Sequence, residues 1–504
     1  MPVRTVVRRS YYRDSMVLMR VAEALRALPG VREAAALMGT PANHELLVSA
    51  GLATEETKDA APGDLVVAIR ADSDASADAG LAEVERILTE RRPTVAAAGR
   101  ALPRTLESAL RQMPDANLVA ISVPGEYAKL EALRALRRGL HVFLFSDNVS
   151  LGDEIELKRA AVERGVFCMG PDCGTAYING VGLGFANVVP RGRVGYVAAS
   201  GTGLQAVVSR VAALGEGVSH AIGVGGRDLS AEVGGIMTDL ALEALAADPT
   251  TEAIVVISKP PAPAVVPKLE TAIGRIAKPV VVCCLGARPA ASGAGRWVAT
   301  LDDAAESVVA TLRGGAWAPR PFTDVPGVRA RLARARTQAP RGATILGLYT
   351  GGTLAHEAGL VLEPLVGTAA YRLVDLGDDE FTRGRPHPMI DPEARAARVR
   401  EAGQAAEVGV LLLDLVLGRA VHPDPATPLV AAVYDARRAA AAAGRAFVAV
   451  ASVVGTEGDP QDLRRQIATL EAAGVEVLPS NAQAARFAAL VIRPGLEATL
   501  LGGS

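Results

Sequence analysis

The chain has 504 residues and a net charge of −2, with neither a basic footprint for nucleic acid nor an acidic tail. Hydrophobic residues make up 50% and aromatics 4%, enough apolar surface for roughly three domains and too few rings for base-stacking platforms. Met1-Pro-Val-Arg-Thr leads into no long apolar stretch. Runs such as Ile254–Ile257 and Val410–Leu417 fall far short of a bilayer span. The sequence therefore predicts a cytoplasmic protein with neither membrane nor nucleic-acid partner. Cys168, Cys173, Cys283 and Cys284 read as packing cysteines in a reducing compartment, and no metal site is expected.

Residues 1–100 alternate strand and helix. Thr5–Arg8, Val31–Leu37 and Leu65–Ile69 read as strands; Ser15–Leu28, Pro41–Ala50 and Ala77–Leu88 read as helices. Thr40 is placed as an N-cap with Pro41 in the first turn, a structural turn before a functional one. Residues 91–103 read as a linker. A second α/β unit, 101–190, ends its strands in Ser122-Val-Pro-Gly, Ser146-Asp-Asn148 and Gly170-Pro-Asp, which a parallel sheet lines up along one ligand-binding edge. It has no GxGxxG fingerprint, which disfavours NAD.

Two larger units follow, 191–315 and 341–495, with 314–342 as the linker between them. Each opens with a strand, a glycine-rich turn and a helix: Gly195-Tyr-Val-Ala-Ala-Ser200-Gly-Thr-Gly203 and Gly347-Leu-Tyr-Thr350-Gly-Gly-Thr353. Free N–H groups at a helix start, with the helix dipole behind them, suit an anion. Loops recur at equivalent strand ends, Gly223-Val-Gly-Gly-Arg-Asp228 against Asp375-Leu-Gly-Asp-Asp379, and Ser258-Lys-Pro-Pro against Asp414-Leu-Val-Leu-Gly. Both units are therefore expected to be flavodoxin-like sheets related by a pseudo-twofold axis, with the two turns facing each other across a small anion.

Gly170-Pro-Asp-Cys-Gly, the Gly195–Gly203 stretch and Gly223-Val-Gly-Gly-Arg-Asp228 resemble the α subunit of succinyl-CoA synthetase. Met38-Gly-Thr-Pro-Ala-Asn, Phe145-Ser-Asp-Asn-Val, Leu348-Tyr-Thr-Gly-Gly-Thr-Leu and Gly384-Arg-Pro-His-Pro-Met-Ile-Asp-Pro resemble, more specifically, the FdrA family, and the likeness runs over nearly the whole chain. It implies an α/β N-terminal domain, a Rossmann-like CoA-binding-type domain, and two CoA-ligase-type domains, the first synthetase α-like and the second β-like. It also implies a carbamoyltransferase that works with further subunits on carbamoyl phosphate and oxamate, or a similar amide or ureido acid, in allantoin and purine breakdown. Succinyl-CoA synthetases carry a phosphorylated histidine after a Lys-Pro-Val-Val strand. Here Lys278-Pro-Val-Val281 is present, but loop 285–298 holds no histidine and no ATP-grasp domain precedes the second ligase-like unit. An acyl-CoA synthetase and a non-catalytic scaffold stand as alternatives. Phosphate or carbamoyl phosphate is the expected ligand, with CoA a further candidate and no cofactor certain.

The anion-site candidates are Ser200, Gly201, Thr202, Gly203, Thr350, Gly351, Gly352 and Thr353, against a reading as caps and turn glycines alone. Arg227 is either a phosphate or carboxylate ligand or one half of a loop staple with Asp228; Lys259, before two prolines, is open in the same way. His387, between prolines, and Arg385 either bind a carboxylate and move protons or stiffen a packed loop. Asp378 and Asp379 contact a cation or a carbamoyl NH₂, or form a solvated turn. Asn148 is a further substrate-binding candidate. His44, His141, His220, His356 and His422 read as structural.

Overall fold

The computed structural model describes residues 1–502 apart from 14, 90–102, 290–292, 339–343 and 383–385. The chain divides into two compact units, Met1–Arg104 with Asp379–Pro386, and Thr105–Asp378 with His387–Ser504. The linker expected at 91–103 lies almost wholly outside the described residues.

In the first unit β1 (Val3–Arg8), α1 (Ser15–Arg26), β2 (Val31–Met38), α2 (Pro41–Ser49), α3 (Glu55–Lys58), β3 (Leu65–Ala71) and α4 (Asp74–Thr89) follow in order. The sheet is antiparallel, with β3 between β1 and β2. Strand β3 is apolar almost throughout because both its faces are covered. Leu65, Val67 and Ile69 pack with Leu18, Val21, Leu25 and Val84, while Val66 and Ala68 pack with Leu47 and Leu52. Thr40 caps α2 as expected, accepting from the Asn43 N–H at 3.4 Å.

The second unit begins with α5 (Leu106–Gln112), β4 (Leu118–Ile121), α6 (Gly125–Leu136), β5 (His141–Leu144), α7 (Leu151–Val162) and β6 (Cys168–Met169), the strands forming a parallel sheet β4-β5-β6. A hairpin, β7 (Thr175–Ile178) and β8 (Val181–Gly184), then leads into β9 (Arg191–Ala198), α8 (Gly201–Ala213), β10 (Val218–Gly223), α9 (Ile236–Ala247), β11 (Ala253–Ser258), α10 (Val266–Ile273), β12 (Val280–Cys284), β13 (Arg296–Trp297) and α11 (Leu301–Leu312). Strands β9–β13 are parallel in the order β10-β9-β11-β12-β13, and the hairpin adds to β10 antiparallel. The stretch expected as a linker contains a helix, α12 (Val325–Ala335). Asp324 caps it by accepting from the Gly327 N–H at 3.0 Å, and Val328, Leu332 and Ala335 are buried, which outweighs its Pro and Arg content.

The chain continues with β14 (Thr344–Tyr349), α13 (Gly352–Val366), β15 (Tyr371–Asp375), α14 (Asp379–Thr382), α15 (Glu393–Ala402), β16 (Val408–Val416), α16 (Ala426–Ala442), β17 (Val448–Val454), α17 (Leu463–Ala472), β18 (Glu476–Leu478), α18 (Asn481–Ile492) and α19 (Glu497–Leu501). Its sheet is all parallel, in the order β15-β14-β16-β17-β18. The two large sheets thus share the order 2-1-3-4-5 and are flavodoxin-like. One hydrophobic core serves both, running from Tyr196, Val207 and Val255 to Ile345, Leu354, Leu412 and Phe487. All four cysteines are buried, and burial pushes the Cys168 and Cys284 thiols up to about 12. Among the described residues no helix is long and apolar enough to cross a membrane.

Candidate functional site

Each glycine-rich turn lies at the carboxyl edge of its sheet, where the first strand gives way to a helix. Ser200 is the N-cap of α8 and accepts from the Gly203 N–H at 2.9 Å. Gly351 occupies the corresponding place before α13. The turns face each other, as the pseudo-twofold required. Ser200 Oγ lies 2.6 Å from Thr353 Oγ1, and a Cβ added to Gly351 would stand 3.0 Å from the Thr202 side chain. Ser200 corresponds to Gly351 and Thr202 to Thr353, so the two contacts exchange under the twofold, as in an isologous interface.

That closeness corrects one expectation. The hydroxyl contact fills the space directly between the two helix starts, so no anion is sandwiched there. A second correction concerns Thr350 and Gly351. Their N–H groups donate to the buried Asp414 carboxylate, Thr350 at 2.9 and 3.1 Å and Gly351 at 2.9 Å, and the Thr350 hydroxyl adds a bond of 3.0 Å. Asp414 is in turn paired with Arg395 at 3.1 Å, both buried. The protein supplies its own anion at this point. Among the described residues, the N–H groups of Gly352 and Thr353 on α13, and of Gly201 and Thr202 on α8, are left without an acceptor.

Around those free donors four side chains converge from both halves. A Cβ on Gly352 would stand 2.1 Å from Asp375 Oδ2 and 3.2 Å from Lys259 Nζ. A Cβ on Gly377 would stand 2.6 Å from the Thr350 carbonyl and 2.7 Å from His387 Nε2. A side chain at Gly377 would run into backbone, and one at Gly352 would displace the Asp375 carboxyl, so the glycines mark where the walls close. Lys259 is exposed at the end of β11 and crosses to the second half. Burial pushes the Asp375 carboxyl up to about 6, against the opposing effect of the Gly377 N–H it accepts at 2.9 Å and the nearby Lys259 charge. Burial takes His387 down to about 4, so its ring is neutral at physiological pH. Its Nδ1 accepts from the Met389 N–H at 3.2 Å, which places the ring proton on Nε2, on the Gly377 side. His356, one turn into α13, is held neutral by burial and by Lys259, and its Nε2 is enclosed without a partner. A ladder of rings, Phe143–Phe145–Phe185–His387, with centroids 6.3, 5.4 and 5.7 Å apart, joins the edge of the β4-β5-β6 sheet to this cluster.

Arg227 and Asp228 belong elsewhere. Arg227 Nε donates to Glu154 at 2.8 Å and its NH2 to the Val149 carbonyl. Asp228 is wholly buried, accepting from Lys158 at 2.7 Å and from the N–H groups of Met237 and Thr238 at the start of α9. The staple expected between the two is not the one found: Arg227 pairs with Glu154 and Asp228 with Lys158, partners that the sequence did not suggest. Asn148 is exposed, with a positive φ of 53°. Asp378 is exposed three residues after Asp375 and raises its pKa slightly. Arg385 and the side chain of Asp379 lie outside the described residues. The sequence missed Asp375 and Asp414 as functional carboxylates. The signal was their place, each at the carboxyl end of a strand flanking β14.

Residues 348–491 match the CoA-ligase family, and residues 1–102 match the family described as "AllF, heavy metal-associated domain". Over 99% of its length the chain is 39% identical to the uncharacterized protein YahF of Escherichia coli (strain K12), covering 100% of that protein. The chain belongs to the YahF family. Its α/β fold with parallel sheets and a CoA-ligase domain bears out the synthetase-like part of the resemblance; the FdrA name finds no support in these matches. PH0766 from Pyrococcus horikoshii OT3 is similar at 17% identity and a TM-score of 0.30, over 77% of this chain and 86% of that one. ATP citrate lyase from Methanothrix soehngenii in complex with citrate and coenzyme A is similar at 18% and 0.33, over 43% and 38%. Likenesses this distant carry no argument about the site. In this YahF-family chain the heavy-metal description also meets no thiol: every cysteine lies beyond residue 102, and no described group of three His, Cys, Asp or Glu residues could hold an ion.

Proposed function

We propose that the chain is an acyl-transfer enzyme of the CoA-ligase type, which binds an acyl phosphate beside the paired turns and passes its acyl group to the thiol of CoA. The convergence of Lys259, the free N–H groups of Gly352 and Thr353, Asp375 and His387 supports this reading. The cation and the N–H donors suit a phosphate, and they are aimed where charge grows as it leaves. The neutral His387 Nε2–H is a donor for the acyl oxygen. Asp375, ionised above about pH 6, is suited to take the thiol proton. In the transfer the acyl carbon–oxygen bond breaks, a carbon–sulfur bond forms, phosphate departs with the bridging oxygen, and the thiol proton passes to Asp375. The ring ladder from the β5 edge offers an apolar track between a CoA-binding-type sheet and His387.

A second reading rests on one sequence fact, the lack of a histidine in loop 285–298. Without it a nucleotide-driven phosphohistidine relay has no carrier, so a preformed acyl phosphate is required. Carbamoyl phosphate is such a compound, with oxamate or another amide or ureido acid as acceptor and further subunits as partners. The test is to incubate the chain with acetyl phosphate and CoA, and separately with carbamoyl phosphate and oxamate, following phosphate release. Thioester and phosphate formed together, and lost in Lys259→Ala, support the first reading. Phosphate released only in the second mixture replaces it with carbamoyl transfer. Release in neither, with no binding of phosphate or CoA by calorimetry, leaves a scaffold and overturns both.

A further inference from the structure

A cavity of about 350 Å³ lies apart from the paired turns, at the carboxyl ends of β17 and β18 and against the outer turns of α8. Among the residues lining it are Ser209, Ser452 and Asn481. Each is at least nine-tenths buried, and Ser209 Oγ, Ser452 Oγ and Asn481 Oδ1 have no hydrogen-bond partner. Enclosed polar atoms are normally satisfied. Three orphans around one cavity mark a place built for a ligand that completes them.

The surrounding charge decides the kind of ligand. Four helices, α11, α12, α17 and α18, start around the cavity, an arrangement that would ordinarily favour an anion. Here those starts are already served from within the protein. The Leu301 N–H donates to Glu357 at 2.7 Å, and Asp324, Asp462 and Ser480 cap the other three. The two arginines in the wall are likewise spoken for. Arg210 is held by Asp302 at 2.9 Å and Glu306 at 2.8 Å, and Arg331 by Glu471 at 3.2 Å and Glu476 at 3.1 Å. What remains without a partner in the wall is the Asn481 amide oxygen and two hydroxyls, set among Ala206 and other apolar side chains, with the buried Glu357 carboxyl beside them already accepting from the Leu301 N–H and from Asn481 Nδ2 at 2.8 Å. Burial also pushes Glu357 up to about 7, and a cation beside it would relieve that cost.

We infer that this cavity is a second ligand site, for a small molecule with an apolar body and an N–H-bearing neutral or cationic head, such as an amidine, amine or amide, and not for a carboxylate or phosphate. The volume suits a compound of one or two rings. Three near-isosteric probes separate the charge classes: benzamidine, benzamide and benzoate, titrated into the full chain by calorimetry. One equivalent of benzamidine or benzamide is expected to bind and benzoate is not. Ser452→Ala, which removes a hydroxyl and keeps the shape, should weaken binding about tenfold. Ala206→Leu, which fills the space, should abolish it, with folding checked by thermal unfolding. Lys259→Ala should leave it unchanged, which keeps the result separate from the acyl-phosphate reading. Benzoate binding as well as benzamidine would overturn the proposal. So would affinity that survives Ala206→Leu in a folded protein, or no binding of any probe at millimolar concentration.

Discussion

Asp375 holds its proton more tightly in the folded chain than an ordinary carboxyl does. Between its usual value near 4 and about pH 6 the folded state binds the extra proton. The stability it contributes is therefore largest below pH 4 and falls as pH rises through 6. Above that, the half-buried carboxylate costs up to about 3 kcal/mol. Asp375→Asn should accordingly stabilise the protein at pH 8 by up to that amount and change nothing at pH 4, as read by denaturant titration at both values. The same variant should abolish acyl transfer, and the wild-type rate should rise through pH 6. Lys259→Ala should weaken phosphate binding by about 10- to 100-fold, the loss of one charge-assisted contact, with a shallower salt dependence. Lys259 and His387 were legible as candidates from the prolines beside them. Asp375 was not, because its role depends on burial against Gly352, and sequence alone does not give a residue's depth.

At the scale of elements, the start of α13 rests on a carboxylate from a different strand. Asp414→Ala would strand the buried Arg395 and free three donors of Thr350 and Gly351. A loss of about 3–5 kcal/mol is expected in chemical denaturation. The opening strand, turn and helix of each large sheet and the loops that recur at its strand ends were legible, since long parallel strands buried on both faces read as apolar runs. The short pieces escaped. The β7–β8 hairpin has the turn signal Asn179-Gly180, but each of its strands is only four residues long, too short for a period-2 pattern to stand out. Helix α12 was hidden by its arginines, of which Arg329 and Arg334 are exposed while three other residues reach the core.

For the whole molecule, the single core shared by the two flavodoxin-like sheets predicts their interdependence. If the second unit is cut at Gly314-Gly315, its two pieces should co-purify when expressed together and aggregate when expressed alone, because each exposes its share of that core. Two separately soluble, non-associating pieces would contradict this. The resemblance to succinyl-CoA synthetase foretold the layout at this scale, since layout follows from the order of strands and loops. It did not foretell which helix start is flanked by carboxylates, because that turns on single side chains, as fold and function separate generally.

The exchange symmetry of the two turns bears on stoichiometry. A duplicated fold offers two equivalent corners, each with free N–H groups at its helix start, yet the flanking carboxylates are present at only one. Ala198, at the end of β9, pairs with Gly223 on one side and Ile257 on the other. Tyr349, its counterpart, pairs with Asp375, and the strand beyond carries Asp414. Where one corner has two carboxylates, its twin has a glycine and an isoleucine. Each chain should therefore turn over a single acyl phosphate at a time, at the corner that carries Asp375, and saturation with phosphate should reach one equivalent and stop.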